Sequence, residues 1–580
     1  MRGKFELQDL LECELSFQLL DSLKKNPLMN DLNYSEFNLM TWELGCIASA
    51  LLRSPSITSL TLGRCKMNNE TVEILLKNPF ITSLTMKFPL QDMDSITLDA
   101  YTRLVRETTF ITSFDSLFPD LSQLDNEILD SEGIQSLIDA IKFNKSITLI
   151  NLISCDINDK FGKKIAEIIQ ENKSITALNF NKSDEFNHKN IQEDDWIVAI
   201  ADALKKNTSI TSFNFVNNCI TDNPIKVIAK ALKNHTSITD LDLQLHEITD
   251  AGAEAMAEAL QENTVIKKLL FWYNHINAQG EIAILSALKK NQSITDLDLF
   301  RACNLSNEGA IILAKAINSN KYKSLAIAVS EKNAEVIAQA IAENTSISLL
   351  NLSHGDSDCK CINAIAKAIE KNNAITSLEL KLVMKMEGAI VLAQAIKNNT
   401  SITSLDLSDN FIDGESAEAL AQAIKENSSI TSLVLFNNEI GDEGAEAFAQ
   451  VIKDNASITL LDLSCNYIGK EGLEAVVKAL EGNCTITKLL FENYSSRDSI
   501  SPELITKLSD LLKRNEQYLI DKRFFKTKIA SFAHFSDGFY NHNKKSKRPQ
   551  EFESLEECSA SKKQKVNEES PVGVLFCKSP

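Results

Sequence analysis

The chain has 580 residues, a net charge of −19 and twelve cysteines. Its length exceeds what a single hydrophobic core supports, and its acidity argues against general nucleic-acid binding, which needs a basic face to displace counterions. The cysteines lack the paired spacing of a disulfide framework or a zinc site, so neither a metal nor any other cofactor is expected, and reduced thiols fit an intracellular, cytoplasmic protein.

The first segment, residues 1–26, carries Glu and Asp where a secretory signal would be apolar. Its Leu7, Leu10, Leu11, Leu15, Leu19 and Leu23 recur at helical spacing and predict an N-terminal helical cap. From residue 27 to 515 the phrase NxSITxLxL returns again and again. Counted at its first apolar residue, from Met29 and Ile57 to Ile458 and Ile486, ten of sixteen successive spacings are 28 residues. A period of that size means a solenoid of about 17 repeats. Two repeats carry insertions, Asp115 to Ser131 and Ser183 to Asp195, expected to be loops on one rim. Residues 516–540, with Phe524, Phe525, Ile529, Phe532 and Phe535, predict a C-terminal cap. Residues 541–580 lose the period and form a Ser-, Glu- and Lys-rich tail expected to be disordered. No segment approaches the roughly eighteen apolar residues of a membrane span.

Within one repeat, Leu405 and Leu407 alternate with Ser404, Asp406 and Ser408, which predicts a short strand with one buried face. Ile412 then returns to the core, and Ala417, Leu420, Ala421 and Ile424 follow at helical spacing. Asn427 ends the helix, as do Asn144, Asn172, Asn207, Asn263, Asn291, Asn344, Asn372, Asn399, Asn455 and Asn483, with His235 as the exception. A left-handed asparagine capping the last helical turn is the expectation there. Cys65 and Cys155 stand where Asn410 and Asn466 stand in other repeats. Stacked strands lie about 4.8 Å apart while helices need about 10 Å. The expected fold is therefore α/β: a right-handed solenoid bent into a horseshoe, with a parallel concave sheet and convex helices.

The matches Leu405-x-Leu407-x-x-Asn410-x-Ile412 and Leu461-x-Leu463-x-x-Asn466-x-Ile468 resemble the ribonuclease-inhibitor class of leucine-rich repeats. The resemblance covers about Met29 to Lys513. Similar repeats form the sensing arms of NOD-like receptors and the Ran GTPase-activating protein, and near-uniform SIT-type arrays resemble those of intracellular bacteria. The class implies a non-enzymatic scaffold binding a protein partner on its concave face. The bacterial likeness implies an effector acting on a host protein, and the Ran likeness implies, as the alternative, activation of a small GTPase. No phosphate-binding loop, Gly-x-Ser-x-Gly or His-Glu-x-x-His motif accompanies the repeats.

The residue between the two strand leucines is mostly polar, from Asn33 to Asp462. That pattern breaks around Ile266. Leu270, Trp272, Tyr273, Phe300 and Arg301, with Leu245 and His246 one repeat earlier, replace the usual Ser, Asp and Asn. Asp242 and Asp298 border them. Large aromatics with an arginine dominate interface energetics, so these nine residues are the expected protein-binding site. Val434 with Phe436 is a weaker second patch. Asp240 with Asp242, and Asp296 with Asp298, sit too far apart to share an ion, and Lys268 stands between them. His246 and His275, just past their strands, are expected at the surface. In the tail, Lys544, Lys545, Lys547 and Arg548, then Lys562, Lys563 and Lys565, resemble nuclear-localisation signals, which implies a nuclear import receptor as a partner. Alanine at Lys544, Lys545, Lys547 and Arg548 should abolish nuclear accumulation of a tagged protein; an unchanged distribution would reduce the cluster to solvating charge.

Overall fold

The computed structural model describes residues 30–34, 38–63, 65–86, 94–115, 131–153, 159–181, 195–216, 220–271, 274–299, 305–354, 361–382, 386–491 and 503–520. The expected N-terminal cap, the interiors of both insertions, Cys155, the C-terminal cap beyond residue 520 and the tail with both basic clusters lie outside the described residues. The chain divides into two compact units, Met1–Leu378 and Glu379–Pro580.

Strand and helix alternate through both units. In the first, Asp31–Tyr34 pairs in parallel with Ser59–Leu62, and pairing proceeds strand by strand to Ser324–Val329 and Leu349–His354. In the second, Ser404–Asp406, Ser432–Val434, Leu460–Asp462 and Lys488–Leu490 pair the same way. Each unit is thus an α/β solenoid with parallel strands. Register follows the phrase and ignores its spacing. Leu60 pairs with Leu84, Leu84 with Phe114 and Phe114 with Ile150, although these partners are 24, 30 and 36 residues apart. A one-residue slip would turn every leucine outward and every Ser or Asp inward. The core of one repeat is the set read from sequence: Leu405, Leu407, Ile412, Ala417, Leu420, Ala421 and Ile424 are all buried.

Every residue of NxSIT has a physical task. Asn427 accepts at Oδ1 from the Ser429 and Ile430 amides, both at 2.9 Å, and donates from Nδ2 to the carbonyls of Ile396 and Asn399, both at 2.9 Å. Those carbonyls belong to the end of the preceding helix, Met386–Asn398, which has no partner of its own for its last C=O groups. The Ile side chain enters the core. The Thr hydroxyl donates to the Thr carbonyl one repeat back, as Thr431 does to Thr403 and Thr459 to Thr431, each at 3.1 Å. In the first unit the same bonds recur from Asn144, Asn172, Asn207, Asn263, Asn291, Asn344 and Asn372 to carbonyls of the preceding helix.

The asparagine is not left-handed. Asn144, Asn263, Asn291, Asn344, Asn427, Asn455 and Asn483 all have extended backbones, with φ between −62 and −95°. A left-handed residue would close its own helix but leave the previous repeat's carbonyls bare. The extended form aims the amide at both repeats.

Thr108, at the asparagine place, keeps only the acceptor bond, from the Ile111 amide at 3.2 Å, but three other departures from the phrase keep the donor bonds. His235 uses Nδ1 to accept from the Ser237 and Ile238 amides and Nε2 to bond the Leu204 carbonyl at 3.0 Å, so the ring copies an amide. Ser319 is too short for the task, and Lys321 donates instead to the carbonyls of Leu288 and Asn291. After the last described strand, Arg514, on the helix over residues 503–520, bonds the Leu480 and Asn483 carbonyls at 3.0 and 2.6 Å.

Helix N-termini are joined similarly. Asp442 accepts from the Gly469 and Gly472 amides of the next repeat, as Asp222 does from Thr249 and Gly252. A Cβ on Gly472 would meet Asp442 Oδ1 at 2.6 Å, which is why glycine stands there.

Asn427→Ala removes two acceptor and two donor bonds at a buried site. It should cost about 3 kcal/mol in urea unfolding and raise hydrogen exchange at Ser429 and Ile430. Unchanged exchange would show that the amide contributes little.

Candidate protein-binding surface

Between the buried leucines, the alternate strand residues form the strand face. In the first unit this face runs in register: Asp240, Lys268 and Asp296 in one column, Asp242, Leu270 and Asp298 in the next. Lys268 is exposed; the other five are half-buried. Two of the four carboxylates take hydroxyls from their own strand, Asp240 from Thr239 and Asp296 from Thr295, each at 2.6 Å. Asp242 Oδ1 accepts from the Gln244 amide at 3.3 Å. Asp406 and Asp462 make the same bond to Ser408 and Ser464 at 2.9 Å, so the contact belongs to the repeat.

What distinguishes Asp242 is its electrostatics. Burial raises its pKa to about 6, reinforced by Asp298 and opposed by the Gln244 amide and Lys268. Near neutral pH it still carries its charge, held at a cost to folding.

Of the nine expected site residues, the structure brings Asp242, Leu270 and Asp298 together across adjacent strands. Trp272, Tyr273, Phe300 and Arg301 lie outside the described residues. Leu245 is half-buried in the turn after its strand, with a left-handed φ of 58°. His246 is a correction: it is buried, not at the surface. It occupies the place that Asn274 and Asn410 occupy in other repeats, where the amide donates back to a strand carbonyl. There His246 Nδ1 accepts from the Ile220 amide at 3.4 Å, and its ring lies 6.4 Å from that of Phe215. Burial pushes its pKa down to about 3; the Phe215 carbonyl opposes this weakly, without a well-aligned bond to Nε2. The turn position of the motif, read one residue at a time, would have identified this histidine as a ladder residue. His275 is exposed as expected, and Cys65 is buried at the same motif position as His246. In the second unit Val434 is half-buried and Phe436 is 38% exposed.

Among the described residues no group of side chains is arranged to hold a metal ion, and no helix is long and apolar enough to cross a membrane.

With this geometry the family likeness is specific to the fold. The leucine-rich repeat family matches residues 234–257 and 398–421, and the TMOD/LMOD leucine-rich domain matches residues 415–520. No curated protein matches the chain. Among solved structures, actin-binding site 2 of leiomodin-1 is similar at 23% identity over 30% of this chain and 99% of that one, with a TM-score of 0.26. The C-terminal domain of tropomodulin from Caenorhabditis elegans is similar at 17% identity over 28% of this chain and 98% of that one, with a TM-score of 0.24. Likeness at that level bears on neither partner nor site. Repeat phrase, parallel register and family matches agree: the chain is a leucine-rich-repeat protein. By class it is a protein-interaction scaffold, presenting an extended surface built from successive repeats.

The His246 shift has a sign that can be measured. Its folded pKa lies below the ordinary 6.5, so its neutral-state contribution is whole above that value and is lost as pH falls from 6.5 toward about 3. From about pH 7.5 to about pH 5 this one ring should remove about 2 kcal/mol of stability. His246→Asn, which restores the amide, should abolish that part of the acid dependence in urea titrations. An identical pH profile in the variant would place the titrating group elsewhere.

Proposed function

We propose that the chain is a non-enzymatic scaffold that binds a protein partner on its strand face, centred on the repeats around Lys268. The observation that supports this reading is the register that sets half-buried Asp242, Leu270 and Asp298 on three adjacent strands, where burial raises the Asp242 pKa to about 6. A carboxylate charged at the expense of folding has its cost offset when a cationic group approaches it. Leu270, between the two acids in register, adds apolar surface next to that charge. The pairing of acid and apolar side chains suits a basic segment of a partner protein. In this proposal Trp272, Tyr273, Phe300 and Arg301 act as the large anchors, and Asp242 and Asp298 act as the polar border. Leu245 stands at the edge, and His246 serves the fold beneath.

Affinity capture from lysate with the full chain, followed by mass spectrometry, identifies the partner. Trp272→Ala should then weaken binding by about 2 kcal/mol with unfolding unchanged. Lost stability with intact affinity would make Trp272 a core residue and move the site. Accelerated hydrolysis in a panel of small GTPases would instead favour GTPase activation.

Asp242→Asn should have two opposite effects. Stability at about pH 7.5 should rise by about 1–2 kcal/mol, because the shift is upward and the carboxylate keeps part of its solvation. Partner affinity should fall. Wild-type affinity should also weaken as pH drops through about 6 and Asp242 takes up its proton. Affinity that is flat across that range would remove Asp242 from the interface.

A further inference from the structure

In the second unit, the residue just after the ladder asparagine forms a row of its own: Phe411, Glu439 and Tyr467, spaced by 28 residues and so at one place in three successive repeats. We propose that this row is a recognition site for an arginine side chain in an extended segment of a partner protein. It is independent of the strand-face site around Lys268, which belongs to the other unit.

Exposure comes first. Phe411 is 60% and Tyr467 68% exposed, far more than aromatics held for packing, and Glu439 is exposed between them. The turns that carry them are tied to one another, with Glu439 bridging to Asp413 of the preceding repeat. The Glu439 amide donates to the Ile412 carbonyl at 2.9 Å, the Gly441 amide to the Asn466 carbonyl at 2.9 Å, and the Asn410 amide to Asn438 Oδ1 at 3.0 Å. Strand spacing then sets the outer two residues about 10 Å apart. A cation midway lies about 5 Å from each residue, so either ring can be turned toward it within the roughly 6 Å range of cation–π attraction.

Charge selects the occupant. Of the other acids in these turns, Asp409 is already engaged, by Lys381 at 3.5 Å and by the Asn437 side-chain amide at 2.7 Å, and Asp413, which bridges to Glu439, accepts from the Ser416 amide at 2.9 Å. Glu439 has no ion-pair or hydrogen-bond partner for its carboxylate among the described residues. An unpaired carboxylate with an exposed aromatic in the repeat on either side suits a planar guanidinium, which stacks and pairs at once, better than a compact ammonium. Phe436, three residues before Glu439 in the middle repeat and 38% exposed, offers apolar surface for neighbouring residues of the segment.

Conformation adds to this, although the turn also holds Asp409, Asn437 and Cys465 at φ of 59, 53 and 58°. Phe411 and Tyr467 have φ of 56 and 55°, in the left-handed region, where bulky side chains are strained. Glycine would fit these turns with less strain. Strain retained by exposed side chains points to a role outside folding.

The test titrates the full chain against a fluorescein-labelled peptide of alternating arginine and glycine, read by anisotropy, with the lysine–glycine peptide as comparison. Arginine should bind several-fold tighter than lysine. Glu439→Gln, and the double change Phe411→Gly with Tyr467→Gly, should each weaken binding about tenfold. Glu446→Gln, which removes the same charge from an exposed helix position, should leave binding within about twofold. The double glycine variant should also unfold at higher urea than wild type. Equal losses for Glu446→Gln and Glu439→Gln would reduce the binding to general attraction by an acidic chain and overturn the site. So would equal affinity for the two peptides, undiminished binding by the glycine variant, or a lower unfolding midpoint in it.

Discussion

From Ser95–Glu107 onward, most of the described helices end with carbonyls that their own residues cannot satisfy, and the next repeat supplies the donors. Asn427 does this for Ile396 and Asn399, Asn455 for Ile424 and Asn427, and Asn483 for Ile452 and Asn455. A buried backbone group left unpaired costs about as much as a single repeat interface can spare. The amide therefore dictates the stacking distance, the extended conformation at the end of each helix, and the start of each strand. At three places where the asparagine is missing, another donor reaches the same carbonyls: a histidine at His235, an ammonium at Lys321, a guanidinium at Arg514. The chemistry varies, and the bond is kept.

Because the ladders satisfy the backbone, the strand face and the turns carry little structural duty, and the departures from pattern collect there. Asp242 holds a charge that burial disfavours, and Phe411 and Tyr467 hold a backbone conformation that their side chains disfavour. Both lower the stability of the repeat that contains them. A one-dimensional array tolerates such local losses because neighbouring interfaces are unaffected.

Burial also separates residues that look alike in sequence. His246 and His275 stand in adjacent repeats just past their strands, yet one is buried and the other exposed. The difference is a single step along the turn: His246 takes the inward ladder place, while in the next repeat Asn274 takes it and His275 faces out. Asp242 and Asp406 likewise share one place in the repeat and one hydrogen bond to the backbone, and each has a second acid two strands on, Asp298 and Asp462. At Asp242, burial raises the pKa and Asp298 adds to it.

The sequence by itself determined the strands, the helices and the register, because the leucines and the SIT phrase are local and periodic, and burying one face of a period-two strand permits a single alignment. It also located the helix-ending asparagine, though not its conformation, since that depends on carbonyls 28 and 31 residues earlier in the chain. The exposure of Phe411 and Tyr467, the burial of His246 and the raised pKa of Asp242 were decided by tertiary structure alone. Each depends on which residues of neighbouring repeats stand alongside, and that juxtaposition exists only once the repeats have stacked.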